Sequence, residues 1–155
     1  MRNAADHMRR PIRVRSEVLR HRPDLPCHAV IPASAISGWC INGTTIVEVQ
    51  IDRHGPFRRS LKRWDQDRWF LDLPKTILVQ TGLKEGSLIT LILRSADTSE
   101  PAELRSRLRS DAVARVCWNR LSQARKRTIV EHIRAGRSSS TRERRVASIF
   151  RSMGH

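Results

Sequence analysis

The sequence predicts an α+β protein in which a small β-barrel precedes a short tail of α-helices. Between Gly43 and Leu93 apolar and polar residues alternate over several short segments, which is typical of half-buried strands. Beyond a polar linker, residues 97–101, apolar residues recur at the spacing of helix turns. We therefore expect a basic disordered arm (1–25), a barrel domain (26–96), this linker and a helical tail (102–153).

The strongest strand patterns lie in the middle of the chain. Residues 45–51 alternate, and a turn at residues 52–56 rich in Gly and Pro leads to a second predicted strand at residues 57–61. A third segment, residues 69–73, places Trp69 on its apolar face with two leucines. We therefore expect the side chain of Trp69 in the core of the barrel.

A short helix and an apolar strand complete the predicted barrel. Pro74 suits the start of a helix over residues 75–81, and Gly82 suits a left-handed cap. Residues 87–93 are apolar at nearly every position, which predicts a strand covered on both faces. We expect residues 29–31 to be the first strand, and the Asn42-Gly43 pair predicts a turn.

The tail pattern predicts three or four short amphipathic helices. Apolar residues are spaced by helix turns at Leu104 and Leu108, Ile129 and Ile133, and then Val146, Ile149, Phe150 and Met153. Ser122 is a predicted N-cap, and residues 140–143 have the Ser-x-x-Glu spacing of a capping box.

Several of these segments resemble known families. The Leu-Pro-Lys start at residue 73, the short helix, Gly-Leu-Lys-Glu-Gly at residues 82–86 and the following apolar strand resemble the repeat of AbrB-type swapped-hairpin barrels. FRRSLKRW (57–64) and RWFLDLP (68–74) resemble the bacterial barrel domain of unknown function 1905, which commonly precedes a YdeI/OmpD-associated tail. Segments 100–104, 118–122 and 141–145 resemble the signatures of that OmdA-like, bacteriocin-protection tail in the same order.

The resemblance covers roughly residues 27–150 and implies a barrel of the double-split, AbrB-related class. It places a loop or short helix at residues 34–41, and it implies a role in tolerance to antimicrobial peptides without an established molecular activity. Two positions differ from the family pattern, which usually has Gly-Asp where this chain has Gly86-Ser87 and Ala-Lys where it has Ala135-Gly136. The second difference removes a charge from the surface of the tail.

The chain is strongly basic. It has 30 Lys and Arg residues against 15 acidic residues, a formal charge of +15 and a pI near 11.6. From Pro101 onward there are 14 basic and four acidic residues, so this part carries +10 of that charge. Such a balance favours polyanionic partners, and the alternative is a solvated face in an arginine-rich protein. No apolar run approaches the roughly 20 residues of a membrane span. We therefore expect a cytoplasmic protein that has no membrane-spanning segment.

Two basic clusters are the candidate nucleic-acid contacts. In the predicted hairpin, cations flank a tryptophan whose role is open between stacking on a base and burial in the core: Arg58, Arg59, Lys62, Arg63, Trp64 and Arg68. In the tail, cations are expected on helix faces opposite the apolar stripes: Arg125, Lys126, Arg127, Arg142, Arg144 and Arg145. The alternative interpretations are core burial for the tryptophan and a solubilising surface for the tail.

The sequence shows no pattern of catalytic chemistry, cofactor binding or metal binding. Cys27, Cys40 and Cys117 are widely spaced, and histidines are scattered. We therefore expect a non-enzymatic binding or regulatory protein whose partner is a DNA or RNA backbone, with a homodimer as a further expectation. The alternative is a stress or peptide-tolerance protein that acts through a protein partner of its tail helices. At +15, direct sequestration of cationic peptides is disfavoured because like charges repel.

Overall fold

The computed structural model describes residues 10–39, 41 and 43–154. The chain divides into two compact units, Met1–Asp97 and Thr98–His155. The first unit is a nearly closed antiparallel barrel of six strands, and the second consists of helices. The predicted α+β class, a small barrel followed by a helical tail, is confirmed.

The barrel strands pair in the order β1-β6-β3-β4-β5-β2. Their bounds are β1 (Ile12–Glu17), β2 (Cys27–Pro32), β3 (Thr45–Ile51), β4 (His54–Arg63), β5 (Arg68–Leu73) and β6 (Leu88–Ser95). Two edges, β1 and β2, approach each other at one end, where Ser16 Oγ donates to the Val30 carbonyl at 3.0 Å. Backbone hydrogen bonds of 2.8 and 2.9 Å between Leu19 and His28 continue this near closure.

The alternating patterns predicted from the sequence form the barrel core. The apolar residues of β3 and β5 pack inward, and Trp69 is only 3% exposed, as predicted. Helix α1 (Ala33–Ile36) and a 3₁₀ turn (Ser37–Trp39) follow β2, and they bury Trp39 in the core, which no pattern in the sequence indicated. Helix α2 (Lys75–Thr81) ends at Gly82 with φ of 72°, which confirms the predicted left-handed cap.

The prediction of a disordered basic arm over residues 1–25 is wrong for the segment that forms β1. Only Val14 of this strand is buried, so its own pattern is weak, but every residue from Ile12 to Glu17 has a partner on β6. Ladder hydrogen bonds and the burial of Val14 and the following Val18 therefore order a segment that local periodicity does not mark. Residues 1–9, Cys40 and Asn42 of the predicted turn lie outside the described residues.

Strand β6 also differs from the prediction, because only one of its faces is buried. Ile89, Leu91 and Leu93 point into the barrel, whereas Leu88 is 79% exposed. The barrel supplies an interior for alternate residues only, so a continuous apolar run here does not mean two covered faces. The first predicted strand, residues 29–31, is the second strand, and β4 is longer than predicted at both ends.

The second unit contains four helices: α3 (Ala102–Ser110), α4 (Ala112–Asn119), α5 (Gln123–Arg134) and α6 (Ser139–Met153). Their predicted apolar stripes form one core, which also contains Trp118. Ser122 caps α5 as predicted, accepting from the Arg125 N–H at 3.1 Å. The predicted capping box at residues 140–143 is wrong, since Ser138 is the N-cap of α6 and accepts from the Thr141 N–H. Within the described ranges, no helix is both long and apolar enough to cross a membrane.

Candidate functional site

The β4–β5 hairpin places the predicted stacking residue on the outer surface of the barrel. Leu61 and Leu71 are opposite each other and fully buried, so their neighbours Lys62 and Phe70, which are also paired, point outward. Trp64 follows at the end of β4 and is 38% exposed. The sequence left open whether this tryptophan is buried, and the structure shows it partly exposed, unlike Trp69.

Most hairpin cations already contact acceptors within the barrel. Arg58 lies 3.9 Å from Glu48, Lys62 lies 3.0 Å from Asp72, and Arg68 Nε lies 2.9 Å from Asp65. Two further guanidinium groups donate to carbonyls, Arg59 to Asp72 and Arg63 to Asp65. The ion pairs reduce the net positive field of this hairpin, so its charge alone is a weaker attraction for a polyanion than the sequence indicated.

In the second unit, Arg142 is part of a contact between helices and not of a solvated face as predicted. Its Nε donates to Glu103 at 2.9 Å, and its Nη1 donates to the Gly136 carbonyl at 2.9 Å. A hydrogen bond from its own backbone N–H, followed by that from Arg142, lowers the pKa of Glu103. Arg145 Nη1 donates to the His132 carbonyl at 2.6 Å. Both arginines therefore contribute to the fold of this unit.

The other four predicted cations of the second unit differ in their exposure to solvent. Arg125 and Arg144 are exposed, and Arg127 is half-buried. Lys126 lies over Trp118, with its Nζ 5.7 Å from the centre of the ring. The four residues thus differ in how readily they can contact a ligand.

The second unit also has exposed arginines that were not among the predicted site residues. Together with Arg125, six exposed arginines make neither an ion pair nor a side-chain hydrogen bond with any residue that the structure describes: Arg105, Arg109, Arg120, Arg125, Arg137 and Arg151. Arg105 and Arg109 follow Leu104 and Leu108 directly and are one turn apart, so the same helical periodicity could have identified them.

A groove of about 400 Å³ lies beside Trp64 on the outer face of the barrel. The ring of Trp64 is 5.0 Å from that of His28, 5.2 Å from that of Phe70 and 5.7 Å from that of His21, measured between centroids. The remaining wall residues are Leu25, Pro26, Lys62 and Asp72. Only Trp64 and Lys62 were among the predicted site residues.

His28 is the most buried polar residue of this groove, with 6% of its surface exposed. No side chain or backbone group of the described residues is hydrogen bonded to its imidazole. Burial lowers the pKa of His28, nearby Asp72 acts in the opposite direction, and His21 lowers it further. The imidazole is therefore held neutral in a largely enclosed place.

This depressed pKa predicts that the barrel is less stable in mild acid. The unfolded chain protonates His28 near pH 6.5, its ordinary value, whereas the folded chain does so only at lower pH. Stability that is present above about pH 6.5 is therefore lost as the pH falls toward the folded-state pKa. Urea unfolding between pH 7.5 and 5 should show this loss, and His28→Gln should diminish it. The matched control His54→Gln, at the exposed start of β4, should retain the wild-type pH dependence.

The described part of the chain contains no group of three or more His, Cys, Asp or Glu residues that could hold a metal ion. Cys27 is a buried free thiol and accepts from Arg20 at 3.4 Å, and Cys117 is a half-buried free thiol.

Comparison with known proteins identifies a family for the helical part of the chain. Residues 98–154 match the family model described as Bacteriocin-protection, YdeI or OmpD-Associated, which confirms the predicted family for the helical tail. No curated protein and no solved structure matches the chain. The relation of the barrel to the domain of unknown function 1905 and to AbrB-type barrels stays a prediction.

Proposed function

We propose that this is a non-enzymatic binding protein that contacts the phosphates of nucleic acid, mainly through the exposed arginines of its second unit. The observation that carries the proposal is the set of six exposed arginines whose side chains make neither an ion pair nor a hydrogen bond with the described residues. Each guanidinium carries five donors and a permanent charge, a chemistry suited to phosphate oxygens. The hairpin cations are partly neutralised by Glu48, Asp65 and Asp72, so they contribute less to the attraction of phosphates.

Binding of this kind is weak and independent of sequence. Phosphate contacts fix a protein on a nucleic-acid backbone but carry no base information. Each neutralised phosphate releases condensed counterions, so the affinity falls steeply with salt. If about five phosphates of duplex DNA are neutralised, the slope of log K against log salt concentration should be about −4 to −5.

The test compares two variants from which the same charge has been removed. Arg105→Gln/Arg109→Gln/Arg125→Gln should flatten the slope by about two to three units, because it removes up to three phosphate contacts. The control Arg53→Gln/Lys75→Gln/Lys84→Gln removes three exposed cations from the first unit and should leave the slope nearly unchanged. Fluorescence anisotropy with a labelled duplex measures both. If no binding occurs at about 50 mM salt, the proposal is wrong.

A second candidate is a tolerance protein that acts through a protein partner. The description of the family matched by residues 98–154 favours it. So do two exposed valines one turn apart on α4, Val113 at 72% and Val116 at 49% exposure.

Purification with and without nuclease, read by the ratio of ultraviolet absorbances, separates the two candidates. Co-purified nucleic acid that nuclease removes favours the first, and a stoichiometric protein that withstands nuclease and is lost in Val113→Ser/Val116→Ser favours the second.

A further inference from the structure

We infer that the groove beside Trp64 binds an unpaired nucleobase of a single strand, with the flanking phosphates on the cations of the β4–β5 hairpin. The inference deepens the proposed function, since the ligand is again nucleic acid. It assigns a separate site on the barrel, and it predicts a preference for single strands that arginine–phosphate contacts alone do not give.

The first support is the position of the aromatic rings. Trp64 and Phe70 lie on the outer face of a strand pair whose inner face is already filled by Leu61, Trp69 and Leu71. The outer rings are therefore not needed to fill the barrel interior. Aromatic side chains on the solvent side of a small barrel are a common platform for stacking unpaired bases, because every base presents a π-face.

The second support is the size and shape of the groove. A volume of about 400 Å³ lies at the small end of the range for ligand sites, roughly 300–1,000 Å³, and suits one flat group. The ring of His28 is tilted by 40° to that of Trp64, whereas His21 and Phe70 meet Trp64 edge-on at 83° and 75°.

The third support is the unpartnered imidazole of His28. The residue is more than nine-tenths buried and lines the groove, and its ring nitrogens, which make no hydrogen bond to a described residue, keep contact with solvent. A neutral imidazole offers one donor and one acceptor. The edge of a nucleobase presents both, whereas a purely apolar ligand would leave the imidazole unpaired on further burial.

The fourth support is the charge around the groove. Lys62 is a wall residue, and the Arg68 guanidinium lies 5.6 Å from the centre of the Trp64 ring. Each is paired with one carboxylate, but an ammonium has three donors and a guanidinium five, so donors are left for a phosphate. The exposed Arg63 adds a third cation on the same hairpin. Because paired bases in a duplex are stacked on both faces, only an unpaired base can enter this recess.

The experiment uses the full chain and two labelled strands of equal length, an oligothymidylate and the same deoxyribose-phosphate backbone without bases. Both strands carry the same phosphates, so the difference in affinity reports the base alone. We expect the base-bearing strand to bind about tenfold tighter, in line with one stacked base. Trp64→Leu, which keeps an apolar side chain in place, should abolish most of this difference. Trp64→Phe, which keeps an aromatic face, should preserve most of it.

Equal affinity of the wild-type protein for the two strands would overturn the inference. So would a Trp64→Leu protein that melts like the wild type and still prefers the base-bearing strand. The outcome also separates this site from the backbone contacts. If the wild-type protein binds both strands equally, the groove proposal is wrong but the backbone proposal stands. If neither strand binds at about 50 mM salt, both proposals are wrong.

Discussion

Replacing Trp69 with alanine should unfold the barrel or leave it only marginally stable. The side chain is 3% exposed in the barrel core, and truncation of a buried tryptophan typically costs about 3–5 kcal/mol. Small domains have a total stability of about 5–15 kcal/mol, so this loss is a large fraction. The Arg63 guanidinium, 5.3 Å from the centre of the Trp69 ring, would lose its aromatic contact as well. Urea unfolding followed by far-ultraviolet circular dichroism measures the effect.

Trp64→Leu is the matched control for this variant. Trp64 is 38% exposed and lies outside the buried cluster, so its replacement should cost far less than that of Trp69. Equal losses at the two positions would show that the hairpin end is as important for the fold as the strand interior, which would contradict the assignment of Trp64 to a surface groove.

Arg142→Gln should destabilise the second unit by about 2 kcal/mol, the magnitude typical of hydrogen bonds that involve a charged group. The change removes the donor to Glu103, whose side chain is only 10% exposed, and the donor to the Gly136 carbonyl. Thermal unfolding followed by circular dichroism measures it. Arg144→Gln is the matched control on the same helix, because Arg144 is exposed and contacts only the Thr141 hydroxyl.

The pH dependence of this pair gives a second readout. The pKa of Glu103 is lowered from its ordinary value near 4.5, so the stabilisation is present above that pH and is lost as the pH falls through the folded-state pKa. Arg142→Gln should weaken this acid dependence, whereas Arg144→Gln should not change it. If the two variants melt alike and titrate alike, Arg142 is a surface residue after all.

The sequence predicted an element correctly where the pattern that marks it lies within a short segment. Each correct prediction depends on residues that are close in sequence: the alternation of β3 and β5, the cap at Gly82 and the apolar stripes of the helices. Strand β1 has no such signal, since only Val14 of its six residues is buried and its partner strand is about 75 residues further along the chain. The two-sided burial predicted for β6 failed because hydropathy does not show which face of a barrel is solvated.

The candidate site was predictable only in part for the same reason. The cations of the hairpin are evident in the sequence, but Glu48 and Asp72, which neutralise two of them, lie on neighbouring strands whose register was not known. His28 reaches the groove because β2 pairs with β5, a contact that no local pattern indicates. The sequence thus identified the residue types of the surface but not the acceptors that already engage them.

Gly136 shows how one sequence difference relates to a neighbouring contact. A Cβ atom at this position would lie 2.9 Å from Arg142 Cγ and 3.2 Å from the Arg142 backbone nitrogen, closer than ordinary contacts allow. The absence of a side chain therefore leaves room for Arg142 to reach both the Gly136 carbonyl and Glu103. The departure from the Ala-Lys pair of the resembling family is thus linked to packing in this chain.

The position of β1 has a consequence for aggregation. It covers one edge of β6, an eight-residue strand that contains Ile89, Leu91 and Leu93, by pairing Ile12–Glu17 with the residues from Leu88 to Leu93. Proteolytic removal of the chain up to Glu17 would leave those backbone groups without partners. An apolar strand with an open edge is a template for pairing with a strand of another molecule. By pairing with β6, strand β1 thus prevents the edge of β6 from forming a β-sheet with another molecule.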